Sequence, residues 1–521
     1  MLWLLSCATP EPAADSLTGG PELVRRMSLD LRGVLPEVED LEAAEADELA
    51  WLEIRDRYLD DARLEDRLVE LYAETWHTRV DVFDLVYFDY HLEPEQEFVF
   101  ERAVGEEPLR LLARVAVEDL PWSEVVTADW SMADELLGSI WPLDYPAGET
   151  GWQVSRYTDG RPPVGVLASN GLWWRYTATQ SNMNRARAAA LSRLLLCEDY
   201  LTRPVSFSET DPSLSTEETA QSDPYCLGCH SSLDPIAASL FGFWWLNQYS
   251  EPEQTEYHPE REVLWESWLG TEPAWFGTPI SGLADLGYMV ATDSRFYSCA
   301  VETLAEGLWR RPSDLEDVAE LESLRGRFLE DGARIKPLIA AIMETESYRV
   351  HAEEESESRE RPIRMMTPAQ LASALEDLSG FQWRFEGFEQ LHSDKTGYRL
   401  LAGGVDGVAL TSPQLEPGLT WALVVQRISQ AAAHEVVRIE LEEDGPRKLL
   451  EGISLKSRPG DVAFTAALKH LHWLLYAARA DGDWLRAVEA LWSDVESSEG
   501  AASAWRTTLS ALLRDPAFVS Y

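Results

Sequence analysis

The segment SDPYCLGCHSSLDP, Ser222 to Pro235, gathers two of the five cysteines of a 521-residue chain and sets a histidine directly after the second. In Cys226-Leu227-Gly228-Cys229-His230 the thiols stand three positions apart, so on a nascent helix they share one face. Four chemistries fit the pattern. Thioether bonds to the two vinyl groups of a haem, with the next imidazole beneath the iron, would use all three residues for one cofactor. A structural zinc site needs two more ligands. No second C-x-x-C exists, so Cys197, Cys299 and scattered histidines would have to converge. A thioredoxin-like dithiol prefers a βαβ setting, for which no pattern is present. A plain structural disulfide is the fourth. With five Cys and nine His, chance would place this pentapeptide on the order of once in a thousand such chains. The leading expectation is one haem c, attached through Cys226 and Cys229 with His230 as iron ligand.

A haem iron usually takes a sixth ligand. Met289, in ISGLADLGYMVATDSRF, is the first candidate, with Met183 and His258 as alternatives; ordinary core packing is the other use of such a methionine. A ligating imidazole normally gives its second N–H to a carbonyl or carboxylate, and Asp234 and Pro235 stand close by in sequence. Haem propionates call for cations, and Arg185, Arg187, Arg310 and Arg311 flank the relevant helices. Pairing with surface carboxylates is the more frequent use of an arginine. Cys197 and Cys299 are expected on buried apolar helical faces, where they either bond in an oxidising compartment or pack as free thiols.

The elements that must position these residues read as helices. In DARLEDRLVELYAETWHTRV, Leu64, Leu68, Leu71, Tyr72 and Trp76 share one face. RARAAALSRLLLCEDYLTRP predicts a helix stopped before Pro204. SRFYSCAVETLAEGLWRRP predicts another, with Phe296, Cys299, Ala300, Thr303, Leu304 and Leu308 together and Pro312 beyond. Strand-like alternation is scarce and is best at WALVVQRI, which also reads as helix, and at HEVVRIELEEDG. RVHAEEESESRERP is charged, aperiodic and closed by Pro362, the marks of a linker. Two segments, IKPLIAAIMETESYRV and the terminal WRTTLSALLRDPAFVSY, echo one another as a short apolar helix followed by an aromatic pair. The expected fold class is mainly α, multi-domain, with a cytochrome-c-like haem-binding segment and few strands. The expected division is signal and linker at 1–22, a helical domain at 23–150, the haem-binding domain at 151–350, a charged linker at 351–362 and a mainly helical domain at 363–521.

The charge balance is 91 acidic against 44 basic residues, a net −47, and lysine is limited to Lys336, Lys395, Lys448, Lys456 and Lys469. Such a surface repels phosphate backbones and excludes nucleic-acid binding as an expectation. It suits basic partners, cations and saline surroundings. No apolar run of about 20 residues predicts a transmembrane helix. MLWLLSCATPEPAAD, however, sets Leu4-Leu5-Ser6 before Cys7 in the manner of a bacterial lipoprotein signal, with Cys7 as the lipidated residue. It departs from that pattern in having no basic stretch and an apolar run of only about five residues, against about 7–15. Export to the periplasm or cell surface, with a lipid anchor, is expected, and that is where haem c is attached.

The order of segments resembles planctomycete and myxobacterial cytochrome-c-like proteins, built from co-occurring domain-of-unknown-function families. LVRRMSLDLRGVLPEVEDLEA is similar to their opening, Arg-Arg-x-x-Leu-Asp-Leu-x-Gly with a Leu-Pro turn. VEDLPWSEVVTADWSMADELL is similar to their Leu-Pro-Phe-x-Glu-Leu-Val-Thr-Ala-Asp segment. CLGCHSSLDPIAASLFGFW resembles their C-x-x-C-H-x-x-x-D-P motif, and DSRFYSCAVETLAEGLWRRP a following helix. The likeness is strong over roughly residues 23–350 and looser beyond. It implies haem on Cys226, Cys229 and His230, export, electron transfer to a redox partner protein, and a bond between Cys197 and Cys299, which match family cysteines. Arg310 stands where the family has Gly, and Ala237 where Gly is common. The family carries no settled reaction. A haem-containing oxidoreductase subunit and a non-catalytic scaffold with a structural Cys/His motif are the competing expectations.

Overall fold

The computed structural model describes residues 18–80, 83, 90–203, 219, 222–246, 250–349, 364–443 and 445–521. Over these the chain is mainly helical. Its strands form three short antiparallel hairpins: Ser131–Ala133 with Gln153–Ser155, Ala274–Trp275 with Thr278–Pro279, and Arg384–Phe385 with Phe388–Glu389. Cys7 and the linker expected at 351–362 lie outside the described residues. No helix among the described residues is long and apolar enough to cross a membrane.

The helix predicted from Leu64 to Trp76 runs Arg63–Trp76 and buries Leu64, Leu68, Val69, Tyr72 and Trp76. The Ala- and Leu-rich helix is shorter than expected, Arg185–Leu196. Cys197 closes it in a left-handed conformation, φ 52°, and Tyr200–Thr202 form a separate 3-10 turn. Cys197 is therefore an exposed cap rather than part of a buried face, whereas Cys299 is buried inside the Ser294–Trp309 helix. That helix also ends left-handed, at Arg310 with φ 56°. This conformation favours glycine, and here an arginine adopts it.

WALVVQRI lies within one helix, Leu419–Val437, and of HEVVRIELEEDG the residues His434–Val437 end that helix while Arg438–Glu442 continue it as a π-helical turn. Val424, Val425, Ile428, Ala432, Ala433, Val436 and Val437 are its buried residues. Their three- and four-residue spacing over five turns overrides the β-branched composition of any shorter window.

One large core draws on both segments expected as separate domains, 23–150 and 151–350: Leu109 and Leu112 pack in it with Leu167, Trp173, Leu191, Phe296 and Ile342. A second core is built almost wholly from residues 366–519. The Pro94–Val117 helix is the axis of the first. The helix Asn170–Arg175 crosses it so closely that a Cβ on Gly171 would fall 2.0 Å from the Val104 carbonyl. Beside that crossing Glu107 is buried and accepts from Ser131 Oγ (2.8 Å), Tyr157 Oη (2.6 Å) and the Gly171 N–H (2.8 Å).

Gly20–Arg32 touches both cores, giving Leu23, Val24 and Met27 to the first and Leu29 to the second. Arg25, Arg26, Asp30 and Arg32 are buried on it. Arg25 donates to the carbonyls of Leu475 (3.2 Å), Phe518 (2.6 Å) and Ser520 (2.9 Å). The Arg26 guanidinium lies 3.6 Å from the Tyr348 ring centroid. Asp30 accepts from the hydroxyls of Tyr348 and Tyr521, each at 2.8 Å. The chain's last residues complete the junction, with Met366 N donating to the Val519 carbonyl and Tyr521 N to the Arg364 carbonyl.

Two predictions follow from buried charge. Arg25→Ala leaves three carbonyls without their donor, so urea titration should show a loss of about 3 kcal/mol or more, with the second core unfolding ahead of the first. Burial pushes Glu107 up to about 7, against the hydrogen bonds that would lower it. Its ordinary value in the unfolded chain is about 4.3, so between those limits the folded state binds the extra proton. This group's contribution to stability is therefore present at low pH and falls as pH rises through about 7. In Glu107→Gln the difference in Tm from the parent should change with pH across that window; a constant difference would count against it.

Candidate functional site

Pro224–Ala238 is a helix that carries the whole C-x-x-C-H motif. Asp223 caps it, accepting from the N–H groups of Tyr225 (2.8 Å) and Cys226 (3.4 Å), and Pro224 occupies the first turn, where no intrahelical donor is needed. The two halves of the helix differ. Leu233, Asp234, Ile236, Ala237 and Ala238 are buried, whereas Cys226, Cys229 and His230 are half-buried and Tyr225 and Leu227 are exposed. Cys226 and Cys229 are free thiols. Burial and the Asp223 carboxylate push the Cys226 thiol up, opposite to the shift that activates a redox dithiol.

The histidine is oriented from below. His230 Nδ1 lies 2.9 Å from Asp234 Oδ1, one helical turn on. Asp234 is in turn gripped by Arg185, Nε to Oδ1 at 2.7 Å and Nη2 to Oδ2 at 2.9 Å. Burial alone would raise the Asp234 carboxyl, but the hydrogen bonds from His230 and Arg185 outweigh it and hold the group below its ordinary value. An ionised carboxylate only accepts, so Nδ1 carries the proton and donates. Nε2 is left with its lone pair directed away from the carboxylate. This is the arrangement in which an imidazole serves as a metal ligand of raised basicity. The residues therefore fit covalent haem: two thiols and one oriented imidazole on the accessible half of a helix whose other half is anchored.

The remaining expectations resolve individually. Met289 lies half-buried against the large core on Leu283–Thr292, a helix that packs on Glu124–Thr127 and on Ser294–Trp309. It does not belong to the His230–Asp234–Arg185 cluster. Met183 is buried in the loop just before Arg185, next to Asn184, whose amide reaches the Ala237 carbonyl at the end of the motif helix (3.5 Å). His258 donates its backbone N–H to Gly242, in the turn after that helix (2.8 Å), and its Nε2 is buried without a hydrogen-bond partner.

Of the arginines expected to face propionates, Arg185 is committed to Asp234. Arg187 is fully buried on the carbonyls of Phe243 and Tyr176, Arg310 pairs with Glu74 at 2.7 Å, and Arg311 pairs with Asp317 at 2.5 Å. Structural pairing takes these cations because an unpaired buried guanidinium is costly.

The cation beside the motif is one the sequence reading passed over. Arg203 lies 3.4 Å from the Gly228 carbonyl and stacks over Tyr200 at 4.2 Å. Tyr200 Oη and Ser232 Oγ are 2.8 Å apart, joining the 3-10 turn to the motif helix. A Tyr and an Arg three residues apart just past a helix end were the available signal.

Cys197 and Cys299 are joined in a disulfide, S–S 2.10 Å, which ties the cap of the Arg185 helix to Ser294–Trp309. Comparison of the chain with protein-family models, with curated proteins and with solved structures yields no match. The disulfide closes a span of 102 residues that contains the whole motif. Reductant should therefore lower stability by about 2–5 kcal/mol, measured by thermal unfolding with and without dithiothreitol. An unchanged Tm would contradict the bond.

Proposed function

We propose that this chain is a c-type cytochrome-like protein that holds one haem c and passes electrons to a redox partner protein outside the cytoplasm. The observation that carries the reading is the Arg185–Asp234–His230 relay, which fixes the imidazole tautomer one residue after a pair of accessible thiols. In this reading Cys226 and Cys229 would hold the haem through thioether bonds and His230 would serve as the iron ligand. The bound haem supplies one-electron redox chemistry.

The other roles belong to the chain's own residues. Asp234 orients the imidazole ring through Nδ1 and raises its basicity. Arg185 keeps Asp234 ionised and fastens it to a second helix. Tyr225 and Leu227, exposed on the motif helix, would offer apolar surface to the bound group, and Arg203, which pairs with Glu198 and donates to the Gly228 carbonyl, is the cation nearest the motif.

Two further observations support the reading. Among the described residues no group of three or more His, Cys, Asp or Glu gathers as a metal site, so the donor set does not favour zinc at the motif. The Cys197–Cys299 disulfide suits an oxidising compartment, as do the lipoprotein-like Cys7 segment and the resemblance to exported cytochrome-c-like proteins.

The test is expression with haem-maturation machinery followed by acid–acetone extraction and a pyridine haemochrome spectrum. Haem should stay with the polypeptide, and Cys226→Ala/Cys229→Ala should release it. A parent chain without covalent haem would refute the proposal. Within the haem-loaded protein, Asp234→Asn should raise the midpoint potential, because a less basic imidazole favours the reduced iron.

A further inference from the structure

A cavity of about 620 Å3 lies where the two cores meet, a size usual for small-molecule sites. One wall comes from the Arg63–Trp76 and Pro94–Val117 helices. The other comes from Pro368–Ser379 with His392 and Lys448. Six guanidinium groups line it, those of Arg32, Arg63, Arg67, Arg79, Arg102 and Arg110, and Lys448 adds a seventh cation. In a chain with twice as many acidic as basic residues, that is a marked local reversal of charge.

The carboxylates in the lining are largely committed already. Glu106 is approached by Arg102 at 2.7 Å, Arg110 at 3.0 Å and Arg79 at 3.9 Å. Burial would raise it, but these three cations hold it down to about 2. Glu70 pairs with Arg79 at 2.6 Å, Asp66 with Arg110 at 2.6 Å, and Asp377 with Arg63 at 3.4 Å. With Glu376 the lining has five carboxylates against seven cations. His392 adds no positive charge near neutrality, since burial, helped by Arg79 and Arg102 and opposed by Glu70, pushes it down to about 4.

Arg67 stands apart from these pairs. Its Nε is buried without a hydrogen-bond partner, and among the described residues no carboxylate forms an ion pair with it. Its stem is fixed by Gly33, where an added Cβ would fall 2.8 Å from Arg67 Cδ. The buried Asp30 feels its charge, yet that carboxylate is engaged by the Tyr348 and Tyr521 hydroxyls. Carboxylates just outside the lining answer others of its cations, Glu37 and Asp61 on Arg32, Asp61 on Arg63 and Glu65 on Arg110, and Lys448 Nζ donates to the Asp377 carbonyl, so what the cavity offers is one positioned guanidinium, Arg67, with donors to give among many cations.

We propose that this cavity binds a small multivalent oxyanion of the phosphate or dicarboxylate class, with Arg67 donating to it from the first core and Lys448 from the second. A ligand held from both walls stabilises the docked arrangement by mass action. Guanidinium forks suit either oxyanion because both present paired oxygens. The site shares no residue with the Cys226–His230 motif and requires no haem.

The test titrates the full chain with inorganic phosphate and, separately, with succinate, by isothermal titration and scanning calorimetry, against sodium chloride at matched ionic strength. The expected result is a saturable binding heat and a rise in Tm beyond the salt control, with the better probe assigning the oxyanion class. Arg67→Gln should weaken binding about tenfold or more, the loss of one charge-assisted hydrogen bond. Arg486→Gln, on an exposed arginine paired with Asp483 far from the lining, should leave it unchanged. Lys448→Gln reports the same loss from the opposite wall should the Arg67 variant fold poorly. No saturable heat with either probe, a Tm rise no larger than the salt control, or parent-like binding by both Arg67 and Lys448 variants would overturn the proposal.

Discussion

A buried guanidinium that must find acceptors governs how this chain is put together. Arg25 sits in the first helix, inside the junction of the two cores, and its three donor atoms are satisfied only by carbonyls at positions 475, 518 and 520. Burial lowers it to about 10, so it remains charged near neutrality and the acceptors cannot be dispensed with. The Gly20–Arg32 helix and the segment around residues 475–520 are thereby obliged to meet. Asp30 extends the same obligation: burial raises it, opposed by Arg26 and by the Tyr521 and Tyr348 hydroxyls that bond to it. Such networks add less net stability than their contacts suggest, because desolvation offsets much of the attraction. Their effect here is on arrangement, since a displaced second core would leave a charge buried and unanswered.

The candidate site uses the same device on a smaller scale. Asp234 is a buried carboxylate with two demands upon it, the His230 imidazole from its own helix and the Arg185 guanidinium from the neighbouring one. The Arg185–Leu196 helix is then held by the disulfide at its far end, through Cys197 to Cys299. Imidazole orientation thus depends on a chain of fixed contacts running into the large core, while the thiols remain on the exposed half of the motif helix. A long chain around one small motif is less puzzling in this light. The motif helix alone has a polar first half and a short apolar second half, too little to position anything, and the surrounding helices supply the anchorage.

Legibility followed the range of the forces involved. Helical periodicity is local, so the Arg63–Trp76 and Ser294–Trp309 helices could be read from their apolar spacing, and the mainly α class with them. The motif was legible because its residues are adjacent, and Asp234 was within reach as a partner because it lies one turn away. Arg185 was read as a propionate cation, since its actual partner lies 49 positions along the chain. Arg310 and Arg311 take the commoner use weighed for them, pairing with carboxylates, Glu74 brought by tertiary packing and Asp317 six residues along, whereas the carbonyl of Phe243 that holds Arg187 lies 56 positions away and left no local sign. The Leu419–Val437 helix was obscured by β-branched residues, whose preference yields once a longer apolar face is buried. The left-handed caps at Cys197 and Arg310 gave no signal, because neither residue type announces that conformation.

The net charge of −47 is set by composition, but where the arginines go decides how it is spread. Arginine is the cation of choice here because a planar fork can satisfy several carbonyls or carboxylates at once, which the ammonium of lysine does less well in a buried setting. Arg25, Arg26 and Arg187 are buried, and Arg79, Arg102 and Arg110 converge on Glu106. Cations used inside cannot neutralise the exterior, so the exposed surface is left acidic. The cavity between the cores is the counterpart, a place where six arginines gather and one of them, Arg67, has no carboxylate paired with it among the described residues. On the proposed electron-transfer reading, the same partition would bear on encounter at the motif. A strongly acidic exterior steers encounter toward a basic partner surface, and does so over a range set by the Debye length, about 8 Å at physiological ionic strength. Charge placement required by folding would then also decide which partner the motif meets.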